Sequence, residues 1–182
     1  MSKWLVQTAA AILGVLLLFE VVLRIGLQAP RGFQPDPVYG LKMRPYARII
    51  NSTEGYVQMV ANSAGLNDDE LLEHKPALRT LLLGDSYAQS LNVARDKGFP
   101  RLIEAALPGH ECVNGGQSGW TPVHGLVFAR EVWQDWQPDA LVVQVNDLDW
   151  EDMQRTNTSH IARDADGNFS IRLPQKASLG RR

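Results

Sequence analysis

The sequence predicts an α/β domain organised on a parallel sheet, with an apolar helix in front of it. Leu81, Leu82 and Leu83 follow Thr80 and stop at Gly84-Asp85, a run apolar on both faces, as strands inside parallel sheets are. Helical and strand patterns alternate after it, and a strand, helix, strand, helix, strand order implies right-handed crossovers within one sheet. Near the amino terminus, residues 9–19 carry no polar side chain, inside a mostly apolar stretch over 4–27.

Taken as helix at about 1.5 Å per residue, that stretch reaches roughly 36 Å, enough for a hydrocarbon core of about 30 Å. Residues 1–28 are therefore read as a membrane anchor, with the membrane as a partner. Glu20 and Arg24 lie four apart on one helix face, where they can pair, and near its end, where Arg24 can snorkel. A cleaved signal peptide is the alternative, but Leu27-Gln28-Ala29 is a poor small-residue site and Pro30 follows it. Lys3 on one side and Arg24 and Arg31 on the other leave the orientation open.

Residues 29–76 are expected to form a linker and a β-hairpin. Pro30, Pro35, Pro37, Gly40 and Pro45 give an extended linker as far as Tyr46. The hairpin pairs Arg48-Ile49-Ile50 with residues 56–60 across Asn51-Ser52-Thr53-Glu54-Gly55, which has suitable turn chemistry. Residues 62–70 read as a polar loop and helix cap, with substrate binding the alternative. His74, in a charged segment before Pro76, reads as a surface residue.

Residues 77–150 hold the core. Phe99, Leu102, Ile103 and Ala106 recur at i, i+3, i+4 and i+7, giving a helix stopped by Pro108-Gly109. Glu111-Cys112-Val113 is a short second strand. Thr121-Pro122 opens a further helix with an N-cap and a proline at its first position, and Leu126, Ala129, Val132, Trp133 and Trp136 form its apolar side. Residues 140–145 are the third strand, β-branched and nearly continuous in apolarity. Residues 151–182 are expected to be a hairpin around Asp164-Ala165-Asp166-Gly167-Asn168 followed by a disordered tail from Pro174. A calcium loop at those aspartates lacks the EF-hand spacing and its terminal glutamate.

With 182 residues the chain is about one domain, and 45% hydrophobic and 21% charged residues make it globular. A formal net charge of -2 gives no electrostatic footprint for nucleic acid. The single cysteine, Cys112, reads as a small core residue. No cysteine and histidine cluster has metal-ligand spacing, and no cofactor is implied.

Gly84-Asp85-Ser86 falls at the carboxyl end of the first strand, the edge where open α/β sheets bind ligands. With Asn114-Gly115-Gly116-Gln117-Ser118-Gly119 and Val145-Asn146-Asp147 it resembles the first three motif blocks of the SGNH, or GDSL-type, hydrolases. The resemblance covers residues 77–150 and implies a three-layer α/β/α flavodoxin-like fold, incomplete here, with the hydrolase domain outside the cytoplasmic membrane. It implies Ser86 as nucleophile and the N–H groups of Ser86 and Gly119 with the Asn146 side chain as oxyanion hole. Gln144 stands where the third block usually has glycine.

The same family takes its histidine from an Asp-x-x-His motif near the carboxyl terminus, and none occurs after Asn146. Asn157-Thr158-Ser159-His160 has the spacing but no carboxylate to stabilise an imidazolium. His124, near the presumed edge, is not where the family draws its base. The expectation is an ester hydrolase acting on acyl or acetyl esters of a small molecule or envelope polysaccharide, truncated and weakly active. An acyltransferase on the same scaffold and a non-catalytic anchored module for glycan binding or assembly are the rivals.

Overall fold

The computed structural model describes residues 3–27, 32–52, 55–147, 149, 153, 160–164, 166–167 and 169–172. The chain divides into two units, Met1–Gly32 and Phe33–Arg182. The first contains α1 (Lys3–Leu27), a helix of 25 residues. Its segment Lys3–Leu23 is long and apolar enough to cross a membrane, and none of it is buried. Thr8 satisfies its hydroxyl within the helix by donating to the Trp4 carbonyl at 3.0 Å. The pairing expected of Glu20 with Arg24 involves a side chain outside the described residues.

The second unit is mixed α/β. Its central sheet has three parallel strands in the order β6-β5-β7, formed by β5 (Leu78–Leu83), β6 (His110–Asn114) and β7 (Ala140–Val143). The expected leucine strand is thus the middle one, and Leu81, Leu82 and Leu83 are each at most 1% exposed. Leu81 and Leu83 join a cluster with Val113, Trp120 and Phe128, whereas Leu82 packs with Ala88 and Cys112, so successive side chains feed opposite layers. Burial pushes the Cys112 thiol up to about 12, in keeping with a core role.

Helix α3 (Phe99–Ala106) packs Phe99 and Ile103 against the Leu82 layer, while Leu102 is exposed. Helix α4 (Pro122–Trp136) lies over the Leu83 layer. Its core side differs from the expected one. Val123, Phe128 and Ala129 are buried, and Leu126 and Trp133 are about two-fifths exposed. Gly125 explains the rotation, because its missing side chain lets α4 press directly on Leu83, with a Cβ there meeting the Leu83 Cβ at 3.2 Å.

The extended linker expected before Tyr46 is in part an antiparallel hairpin, β1 (Phe33–Asp36) with β2 (Gly40–Met43). Asp36 makes its turn by accepting from the Val38 and Tyr39 amides at 2.8 and 3.0 Å. Tyr39 is buried and stacks on Trp120 with ring centroids 4.5 Å apart, and Met43 is fully buried. The second hairpin, β3 (Arg48–Asn51) with β4 (Val57–Val60), is as expected. So is β8 (His160–Arg163) with β9 (Phe169–Arg172) around Gly167. Residues 157–159 and the tail from 173 lie outside the described residues.

The two edges of the central sheet are finished differently. Along β6 the outward amides of Cys112 and Asn114 donate to Glu104 Oε1 and Asp68 Oδ2, both at 2.7 Å, so carboxylates close that edge. Along β7 the apolar side chains Val142 and Val143 are exposed, and β7 ends at Val143 rather than at the expected Val145. No helix follows residues 62–70: the described segment between β4 and β5 contains neither helix nor strand.

Asp68 gives that segment a measurable signature. Burial pushes its carboxyl up to about 6, against the lowering effect of the Asn114 amide and Arg101. A carboxyl raised in the folded state binds its proton more tightly there than in the unfolded chain. Its contribution to stability is therefore full below about pH 4 and is lost as pH rises to about 6. Urea melts between pH 4 and 7 are expected to show this decline, flattened in Asp68→Asn. Parallel curves for the two proteins would contradict the assignment.

Candidate active site at the carboxyl ends of the central strands

The three motif segments emerge from the carboxyl ends of β5, β6 and β7, which are parallel neighbours, so all three leave the sheet at one rim. Asp85 caps the four-residue helix α2 (Ser86–Gln89), its Oδ1 accepting from the Tyr87 amide at 2.9 Å. Ser86 is the first helical residue, and it is exposed. Asp85 is the cap, leaving Ser86 open to solvent.

Asp85 also reaches the third segment. Its Oδ2 accepts from Asn146 Nδ2 at 2.5 Å, and the Asn146 amide donates to the buried Asp149 at 2.7 Å. Gln144 crosses the first turn: a Cβ on Gly84 would meet Gln144 Oε1 at 2.5 Å, and the same oxygen accepts from the Asp85 amide at 3.3 Å. The glycine of the first segment therefore makes room for the glutamine of the third.

The second segment is fastened to α2 by buried amides. Gln89, fully buried, accepts from Ser118 N at 3.0 Å and Ser118 Oγ at 2.5 Å and donates to Gln117 Oε1 at 3.2 Å. The Gln117 amide donates to the Gly84 carbonyl at 3.1 Å, and its side chain holds Gly65 and Met43 from the amino-terminal segments. Asn67 adds a bond to the Gln89 carbonyl at 2.7 Å. Gly119 is exposed, has φ +78, a region that favours glycine, and has open space where a Cβ would lie.

Ser86 and Gly119 are thus exposed and Asn146 half-buried on segments that share one rim. Among the described residues no histidine is hydrogen-bonded to Ser86. His110 stands at the amino-terminal end of β6, the opposite rim, and its Nε2 meets Thr80 Oγ1 at 2.7 Å. His124 is 1% exposed, its Nδ1 accepts from the Thr121 amide at 3.0 Å, and burial pushes its imidazole below the ordinary histidine value. It is a capping residue of α4. His74 is exposed and His160 begins β8.

Sequence reasoning singled out the motif residues and missed what fastens their segments. Gln89, Gln117 and Asn67 carry no spacing signal, since a glutamine three residues into a short helix reads as surface. A cavity of about 230 Å³ under residues 62–72 is lined by Asp68, Glu104, His110 and Glu111 and contains none of Ser86, Gly119 and Asn146. A second one, of about 360 Å³, has Ser118 in its wall. No family model matches the chain, and no curated protein does either.

Proposed function

We propose that the chain is an SGNH-type serine ester hydrolase, anchored by α1 with its catalytic domain outside the cytoplasmic membrane. The observation that supports this reading is the Asp85–Asn146 hydrogen bond of 2.5 Å, joining the first and third motif segments beside the exposed Ser86. In this reading Ser86 Oγ attacks the ester carbonyl carbon and forms an acyl-enzyme as the carbon–oxygen bond to the alcohol breaks. The serine proton leaves with that alcohol. Water then cleaves the acyl-enzyme, releasing the acid and restoring the serine hydroxyl. The Ser86 and Gly119 amides and the Asn146 carboxamide receive the oxyanion, at about 3 kcal/mol per donor.

A serine hydroxyl needs a base within about 3 Å to be a good nucleophile at neutral pH. Lacking one among the described residues, the site is expected to be slow. Hydrolysis of p-nitrophenyl acetate should exceed the uncatalysed rate by about tenfold only, a difference of about 1.4 kcal/mol. Ser86→Ala should remove it without changing the urea midpoint. Equal activity in the variant excludes Ser86 as nucleophile. The same unpaired serine favours a second reading, a non-catalytic anchored module that binds glycan, for which neither protein hydrolyses the ester and both bind polysaccharide alike.

A further inference from the structure

We propose that the cavity walled by Phe33, Leu41, Ile49, Ile50 and Leu91 receives the acyl chain of a medium-chain ester whose carbonyl lies at Ser86. This deepens the esterase reading and rests on it. The cavity measures about 360 Å³, within the range of small-molecule sites, roughly 300–1,000 Å³. Ser118 forms part of its wall, next in sequence to Gly119; Ser86, Gly119 and Asn146 themselves are not among the residues that line it. Gln89 ties Ser118 to the helix that begins at Ser86. One residue of the second motif segment, Ser118, thus walls the cavity while being tied to α2.

Its lining favours a hydrocarbon over a sugar or an anion. Among the described residues no charged side chain lines it. Its polar residues are already engaged. Asn51 Nδ2 donates to the Leu91 carbonyl at 3.1 Å and to Asn92 Oδ1, and Ser118 Oγ donates to Gln89. The Asn51 bonds join strand β3 to the loop after α2, so two walls are held together by the groups that a polar ligand would need. Leu41 and Ile50, 52% and 58% exposed, present apolar surface that a bound chain would cover. Phe33, Ile49 and Leu91 pack against the buried Met43, Ala47, Met59 and Ala61.

The test uses the full chain in detergent, with Ser86→Ala and with Leu41→Glu/Ile50→Glu, whose substituted side chains are already more than half exposed. Fluorescence of cis-parinaric acid reads binding apart from chemistry. Equal binding to wild type and Ser86→Ala, weakened at least tenfold in the double variant, is expected. Hydrolysis of p-nitrophenyl esters by wild type should rise about threefold per methylene, roughly a hundredfold from acetate to hexanoate. The double variant should lose that gradient. Unchanged binding in the double variant, or a gradient it retains, overturns the acyl site. Binding as expected with hydrolysis that ignores Ser86→Ala overturns the esterase reading and leaves the cavity as a fatty-acyl site.

Discussion

Replacing Arg79 with alanine is expected to destabilise the domain by about 3–5 kcal/mol, the usual cost of leaving one member of a buried ion pair behind. Arg79 is 4% exposed and lies within β5, with its Nε 2.5 Å from Glu111 Oε2 on β6. Its Nη1 and Nη2 donate to the Trp136 and Leu72 carbonyls at 2.6 and 3.0 Å. One guanidinium thus joins the central strand to β6, to the end of α4 and to the segment before β5. Alanine leaves Glu111, 7% exposed, as a charge with only the Leu72 amide at 2.8 Å for company, and takes the donors from two carbonyls. Lys75, paired to Asp139 at 2.6 Å with both side chains about one-third exposed, provides the comparison. Lys75→Ala should cost under about 1 kcal/mol. Arg79→Met/Glu111→Met, which removes both charges, should recover most of the single-variant loss. Urea melts of the four proteins distinguish these cases, and Arg79→Ala within about 1 kcal/mol of wild type would show that the pair does not hold the layers together.

Arg79 also shows why one boundary was hard to read. A charged residue stands before polar Thr80, so the sequence bounds the strand at Thr80, with Leu81, Leu82 and Leu83 inside it. The strand nonetheless begins at Leu78, because the charge is neutralised by a residue 32 positions further along the chain. Elements whose burial is written into their own residues were legible: the leucine strand, the hairpin at Arg48 and the α4 start at Thr121-Pro122. The β1–β2 hairpin was not, since Pro35, Pro37 and Gly40 read as linker. Proline is tolerated there because a two-stranded hairpin leaves alternate amides unpaired. Asp36 between two prolines, with Tyr39 behind it, was the turn signal available.

The candidate site divides the same way. Motif spacing singled out Ser86, Gly119 and Asn146, and the strand order β6-β5-β7 accounts for their segments sharing a rim. What holds those segments is polar and long-range: Asp85 to Asn146, Gln89 to Ser118, Asn67 to Gln89. Such bonds follow no period and become visible only once the sheet has brought the segments together.

Gly116→Ala is the substitution expected to damage this site most. Gly116 closely approaches α2. A Cβ there would lie 2.6 Å from the Ala88 Cβ, 2.6 Å from the Gln89 nitrogen and 2.7 Å from the Ala88 carbonyl carbon. Two of these are backbone atoms of the helix that begins at Ser86, so no side-chain rotation relieves the contact. Either α2 moves away from the second segment or that segment moves away from α2. Both strain the Gln89 to Ser118 bonds, at about 3 kcal/mol for overpacking of this kind. Gly119→Ala is the control. Its Cβ meets nothing within 4 Å, and only the positive φ is unfavourable, at about 1–2 kcal/mol. Urea melts should therefore rank Gly116→Ala well below Gly119→Ala, and ester hydrolysis should fall to background in the first. If instead Gly116→Ala melts like wild type, α2 is not pressed against the second segment by the contacts described.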